Sequence, residues 1–370
     1  MARILFILKH REQPYSDECG YRTDQLSSGL FNSARFVERM LADVLDHETH
    51  IAHAIDNNCI DRLVSSFRPD IVVIEAYWVV PEKFEVLIAL HPAVTWVVRN
   101  HSALPFAAQE GQIVDWSLRY MDYANVVLAC NDERADKQFR KLIAIDKPGW
   151  TTALSTRCVW LPNFYPATSN FRVYKNHPDF WNIGCFGAVR PMKNHLMQAA
   201  AAMEFAQKTG KTLRFHINGT RVEGRGEPVL HNLRNLFKLL PHELIEHPWL
   251  PHDLFIDLVR AMDIGVQVSF TETFNIVTAD MITNGVPVVV SPEIAWVHDQ
   301  LHADPNDSDS IVEALTKAAR ENHHRHALYQ SLAGLTSYND NSIQRWDQFI
   351  RRTMDCHAAR GIVKPRHRRV

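Results

Sequence analysis

The chain has 370 residues, long enough for two domains each with its own core, and 46% of them are hydrophobic against 22% charged. A formal net charge of -2 excludes a protein that is basic all over, so any polyanion has to be met by a local patch. Six widely spaced cysteines, Cys19, Cys59, Cys130, Cys158, Cys185 and Cys356, form no CxxC pair and read as reduced thiols rather than a disulfide or metal framework.

In chain order, short apolar runs alternate with helical patterns, the signature of parallel sheets with helices on both faces. ARILFIL opens the chain, too short for a signal h-region, and THIAHAI, DIVVIEA, TWVVRN and NVVLAC follow, with SARFVERMLADVL and PEKFEVLIAL as intervening helices. Residues 163–180, rich in Pro, Asn and aromatics and without a period, read as a seam. Beyond it come IGCFGAV, LRFHING, LIEHPWL, IGVQVS and VPVVV, with NHLMQAAAAMEFAQKTG and DLFIDLVRAM among their helices. SIQRWDQFIRRTM is a last amphipathic helix, able to pack on either domain. The pattern predicts two doubly wound Rossmann-like domains, residues 1–165 and 166–335, then a C-terminal helix and tail over 336–370. No stretch reaches the roughly 18 apolar residues a membrane span needs, so a soluble, cytoplasmic protein is expected.

Two places carry chemistry. A strand over Ile183 to Ala188 runs into a turn bearing Arg190 and Lys193, and a helix opens near Asn194. Two cations beside the free N–H groups of a helix start make an anion site, suited to a diphosphate; the plain alternative is two exposed surface cations. In SFTETFNIVTADMITNGVPVVVS, Glu272 stands in the loop before a helix and Asp280 inside it. A helix starting near Asn275 sets Asp280 on the face of Ile276 and Thr273, where a carboxylate could take ribose hydroxyls and Glu272 a sugar beyond the phosphates. Acids that merely suit a helix dipole are the alternative.

This arrangement resembles the GT-B glycosyltransferases of the large retaining group often called family 4. Arg190 and Lys193 match that family's cations on the donor diphosphate. Glu272 with Gly285-Val286-Pro287-Val288-Val289 behind it matches its E-x7-E motif, and Leu161-Pro162-Asn163 its interdomain crossing. The chain departs from the pattern twice: Asp280 replaces the second Glu, and Thr273-Phe274-Asn275 replaces the usual Gly-Phe-Gly. The resemblance implies two domains facing across a cleft, a nucleoside diphosphate sugar as donor (a UDP-sugar first), and transfer to an acceptor hydroxyl with retained anomeric configuration. Neither a cofactor nor a metal is required. Donor contacts fall on Arg190, Lys193, Glu272, Thr273, Phe274, Asn275 and Asp280, and catalytic roles on Arg190, Lys193, Glu272 and His101. His101 ends TWVVRNHSALPF as the family's cleft histidine does, although a lone His is more often structural. Ser28 and Gly29, in the long loop after the first strand, are an acceptor or phosphate turn, or simply surface.

The whole chain also resembles stand-alone glycosyltransferases of tailed bacteriophages, which implies host cytoplasm and, as favoured acceptor, a 5-hydroxymethylpyrimidine in phage DNA. The tail RGIVKPRHRRV, with Arg360, Lys364, Arg366, Arg368 and Arg369, fits contact with a nucleic-acid backbone, as it fits a solvated charge run. A small-molecule, protein or glycan acceptor, or a non-catalytic nucleotide-sugar or DNA-binding module, remain the alternatives; no membrane partner is expected and the oligomeric state is open. Three motifs are set aside. Asp307-Ser308-Asp309 reads as a helix cap, Asn218-Gly219-Thr220 as a sequon in form only, and His323, His324 and His326 as a solvated helix face.

Overall fold

The computed structural model describes residues 1–10, 29–150, 156–167 and 177–361, without the side chains of 321–324. Cys19, Ser28, Lys364, Arg366, Arg368 and Arg369 lie outside the described residues. The chain divides into two compact units, one built from residues 1–10, 30–164 and 339–361 and the other from 165–338.

The first unit has a six-stranded, wholly parallel sheet of β1 (Arg3–Lys9), β2 (Glu48–Ala54), β3 (Ile71–Glu75), β4 (Thr95–Asn100), β5 (Val126–Cys130) and β6 (Cys158–Trp160). Their order is β2-β1-β3-β4-β5-β6, the flavodoxin-like winding. The inner strands carry continuous apolar runs because both faces are covered, with polar residues such as Glu75, Arg99 and Asn100 at their ends. Leu5, Ile7, Val72, Ile74, Trp96, Val98 and Leu128 face one core. It is closed by α2 (Cys59–Phe67), α3 (Lys83–Leu90), α4 (Ile113–Tyr120) and α5 (Glu133–Asp146). Ile4, Phe6, Val73, Val97 and Val127 face the other, under α1 (Gly29–Asp43).

The second unit holds β7 (Phe180–Cys185), β8 (Thr212–Ile217), β9 (Glu243–Glu246), β10 (Ile264–Gln267) and β11 (Val288–Val290), again all parallel, in the order β11-β10-β7-β8-β9. Counted from its own first strand this is the inner part of the Rossmann order, with the winding reversing between β7 and β10. Its helices are α6 (His195–Lys208), α7 (Glu227–Lys238), α8 (His252–Val259), α9 (Ile276–Thr283) and α10 (Ser308–Ala318). A 39-residue helix, α11 (Glu321–Ala359), follows. Its part up to Tyr338 counts with the second unit and the remainder with the first, where Trp346, Phe349 and Ile350 fill the core beside α1.

One expectation needs correction, and two features were not foreseen. The strand expected over Ile183 to Ala188 runs from Phe180 to Cys185 instead. Phe180 and Trp181 pair with Thr212 and Leu213, and Gly187, at φ 111, bends the chain into a region other residues rarely enter. β6 was not foreseen, because three residues carry no period. ARENHHRHALYQ and SIQRWDQFIRRTM are one helix, not two pieces. Among the described residues no helix is long and apolar enough to cross a membrane.

Candidate active site

In open α/β sheets the loops after adjacent strands part at the point where the winding reverses, and the crevice left there binds ligands. In the second unit those loops follow β7 and β10, and they carry Arg190, Lys193 and Glu272. After Cys185 the chain turns through Gly187, whose N–H donates to Asn218 Oδ1 at 2.9 Å; Asn218 is thereby buried as a structural acceptor. A single 3-10 turn, Pro191–Lys193, leads to Asn194 in the left-handed conformation at φ 57, ψ 32, and α6 begins one residue later. Asparagine tolerates that conformation better than other non-glycine residues. Its side-chain amide donates to the carbonyls of Val268 at 3.1 Å and Pro305 at 2.8 Å instead of capping α6.

The β10 loop is tied to the same place. Gln198 of α6 donates to the Lys193 carbonyl at 2.6 Å and accepts the Val268 N–H at 2.8 Å. Gln267, the last residue of β10, donates to the Phe186 carbonyl at 2.9 Å, and the Phe270 N–H to the Met192 carbonyl at 3.0 Å. These buried bonds hold the two loops side by side, and Lys193 Nζ and Glu272 Oε1 form an ion pair across them. The pair joins residues 79 positions apart, with about a fifth of the Lys193 side chain and an eighth of that of Glu272 exposed. Arg190 pairs with Glu223, whose other oxygen takes Arg221 Nε at 2.6 Å. Sequence reasoning missed Glu223, since the segment that carries it shows no period.

Asn275 caps α9. Its Oδ1 accepts the Thr278 N–H at 2.9 Å while its amide donates to Gln267 Oε1 at 2.9 Å. Phe274 is buried against Trp296, ring centroids 5.6 Å apart, and its carbonyl accepts Trp296 Nε1 at 2.9 Å, so its side chain belongs to the core. Thr273, half-buried, completes the loop. Asp280 lies inside α9 with only 3% of its side chain exposed. Its Oδ1 accepts the Tyr165 hydroxyl at 2.8 Å and contacts His252 Nε2 at 2.9 Å. Burial raises the Asp280 carboxyl above its ordinary value, and His252 and Tyr165 pull it partway back. Neither Tyr165 nor His252 stood out in the sequence. Both are single polar residues beside prolines, with no spacing to link them to Asp280.

In the first unit His101 follows β4 and contacts Glu75, the last residue of β3, through Nε2. Arg99, wholly buried, donates to Glu75 Oε1 at 3.1 Å, to Asn163 Oδ1 at 2.5 Å and to the Pro162 carbonyl at 3.2 Å. Ser33 Oγ donates to the same Asn163 Oδ1 at 2.7 Å, and Asn131 Nδ2 lies 3.5 Å from His101 Nδ1. Burial alone would raise the Glu75 carboxyl, but Arg99 and His101 overcome it and hold it below its usual value. Burial lowers the His101 pKa, with Glu75 opposing. His101 is therefore one member of a buried polar cluster, 17% of its side chain exposed, and Glu75 is its missed anchor. The signal was present: Glu75 is the only acid in an otherwise apolar strand. Gly29 opens α1. Asp307 caps α10 by accepting the Asp309 N–H at 2.9 Å, as expected of that DxD sequence.

Comparison with known proteins adds to this geometry. Residues 181–321 match the family model of glycosyl transferases group 1. The match takes in Arg190, Lys193, Glu272 and Asp280. Solved structures similar to the chain include the trehalose 6-phosphate synthase of Burkholderia multivorans, with a TM-score of 0.66 and 12% identity over 100% of both chains. The sucrose-phosphate synthase of Thermosynechococcus elongatus is similar at 0.68 and 12%, over 96% of this chain and 100% of that one. The N-terminal domain of Candida albicans trehalose-6-phosphate phosphatase follows at 0.60 and 12%, over 96% and 97%. No curated protein sequence matches the chain. At these identities the likeness establishes the fold: two parallel-sheet Rossmann-like domains of the GT-B type.

Proposed function

We propose that the chain is a glycosyltransferase that takes its sugar from a nucleoside diphosphate sugar, a UDP-sugar first, and keeps the anomeric configuration. The observation that carries this reading is the meeting of Lys193 with Glu272 where the winding of the second sheet reverses, inside the segment that matches group 1 glycosyltransferases. Arg190, Lys193 and the first-turn N–H groups of α6, which Asn194 leaves uncapped, supply positive potential for the charge that grows on the departing diphosphate. Because buried hydrogen bonds hold the two loops side by side and ion pairs hold Arg190 and Lys193, these groups need little reorganisation when the bond breaks. Glu272 orients the donor sugar and sets the Lys193 amine. Thr273, Phe274 and Asn275 shape the loop, and Asp280 takes the ribose by joining or displacing Tyr165 and His252. His101, anchored by Glu75, acts on the acceptor side, with Ser28 and Gly29.

The favoured acceptor is a 5-hydroxymethylpyrimidine in DNA, which rests on the basic sequence from Arg360 onward and on the phage resemblance. A flipped base would present the hydroxyl. A small phosphorylated acceptor stands beside it, because the similar solved structures are named as synthases of sugar phosphates. The test is incubation with a panel of nucleotide sugars and with each acceptor class, reading transfer by mass spectrometry. Added sugar mass that Glu272→Ala abolishes, in a variant that keeps its circular dichroism, supports the enzyme and names the acceptor. If no donor turns over with any acceptor, the transferase reading falls.

A further inference from the structure

Outside the residues assigned to that reaction, the first unit contains a cavity of about 440 Å³ between the sheet and the last turns of α11. Its floor includes Thr95, the first residue of β4, whereas His101 follows the last. A six-residue strand separates the two, roughly 20 Å at the usual rise, so the cavity opens at the other end of the sheet from the Glu75 cluster. Five arginines line it, Arg140, Arg157, Arg345, Arg352 and Arg360, and none of the lining residues is acidic.

The charges are only partly neutralised. Arg140 is paired with Asp136 at 2.7 Å. Arg157 gives its N–H groups to the carbonyls of Met121, Tyr123 and Val126, which satisfy its hydrogen bonds without cancelling its charge. Arg345 lies over the Trp160 ring at 3.8 Å and donates to Asn341 at 3.2 Å. Arg352 and Arg360 are exposed, and among the described residues their guanidinium groups make neither a hydrogen bond nor an ion pair. Asp122 acts on Arg157, and Glu133 and Asp136 act on Arg345, from outside the lining, so the charges least compensated are Arg352 and Arg360, and the excess of cations focuses positive potential in the concavity. Such an arrangement is stabilised when an anion arrives, and arginine's planar fork suits phosphate oxygens.

We propose that this cavity is a binding site for a small, multiply charged phosphate compound, separate from the donor site. Its volume lies in the range of small-ligand sites, roughly 300 to 1,000 Å³. A nucleic-acid backbone would call for an exposed stripe of cations. Here the cations converge on a concavity, with Trp160 and Phe349 in its wall.

The test uses the full chain carrying Arg190→Ala and Lys193→Ala, so that a diphosphate cannot report on the donor site. Inorganic pyrophosphate and tripolyphosphate are titrated calorimetrically. Saturable binding is expected, and adding Arg352→Glu and Arg360→Glu should weaken it at least about ten-fold. Both side chains are exposed and unpaired among the described residues, so the fold should tolerate the change; Arg352→Gln with Arg360→Gln serves if it does not. Absence of binding with the cavity intact, or binding indifferent to these substitutions, overturns the proposal. So does a DNA duplex that binds through Arg352 and Arg360 while both polyphosphates fail, which would give the surface to nucleic acid.

Discussion

The most informative residues are charged groups that the fold places next to an opposite charge. Lys193 and Glu272 were each legible as candidates, one after a strand and the other before a helix, but only the sheet order makes them neighbours. In the proposed transferase reaction, Lys193→Ala is expected to lower turnover by about 10²- to 10³-fold, as loss of a preorganised charge on a leaving group does. An unchanged rate in steady-state assays of the folded variant would remove Lys193 from the mechanism. Glu75 shows the reverse case. Its carboxylate is the acidic partner of the wholly buried Arg99, so Glu75→Ala leaves a cation without compensation and should cost about 3 to 5 kcal/mol in urea unfolding. Glu75→Gln retains hydrogen-bonding groups and is expected to cost less; equal losses would mean that the charge, which both variants remove, carries the whole effect.

At the scale of elements, strands with full apolar runs were legible because burial on both faces imposes them, and the helices of the Rossmann units were legible from their period. The boundaries were not. β7 starts at Phe180, ahead of the apolar run, because its register with β8 begins there. β6 exists because Cys158, Val159 and Trp160 find Leu128, Ala129 and Cys130 beside them, a long-range pairing with no local signal. α11 carries the clearest consequence of packing. Trp346 is wholly buried, 6.2 Å from the Phe6 ring, and donates its indole N–H to the Pro162 carbonyl at 3.0 Å. Trp346→Ala is therefore expected to destabilise the first unit by about 3 to 5 kcal/mol. A loss below about 1 kcal/mol in denaturant melts would show that α11 is not part of that core.

At the scale of the whole molecule, burial has a consequence for acid stability. It depresses His195 and His216 to about 3, and it lowers His47, His53, His101, His242, His247 and His302 as well. Unfolded, these rings titrate near 6.5. The unfolded chain then binds more protons than the folded one below that pH, so the contribution is complete above 6.5 and is lost as pH falls through the depressed values. Glu75, held low, adds to the loss near the ordinary carboxylate range. Asp263, raised to about 6 by burial, and Asp280, whose carboxyl burial also raises, act in the opposite sense, their contributions fading as pH rises. With eight histidines against two acids, the urea midpoint should fall steadily between pH 7 and pH 4.5, and a flat or rising midpoint would refute this account. What the sequence determined by itself was local: the alternation of strands and helices, the class of fold, and which residues carry charge at element ends. Only the tertiary structure decided which of these meet, because the order of parallel strands is set by long-range packing. Paired residues of adjacent strands here can be far apart in the chain, as Ile183 of β7 and Ile264 of β10 are, and no short-range pattern records it. For the same reason the arginines of α5, α11 and the β6 segment read as scattered surface charges in sequence and as one cationic cavity in space.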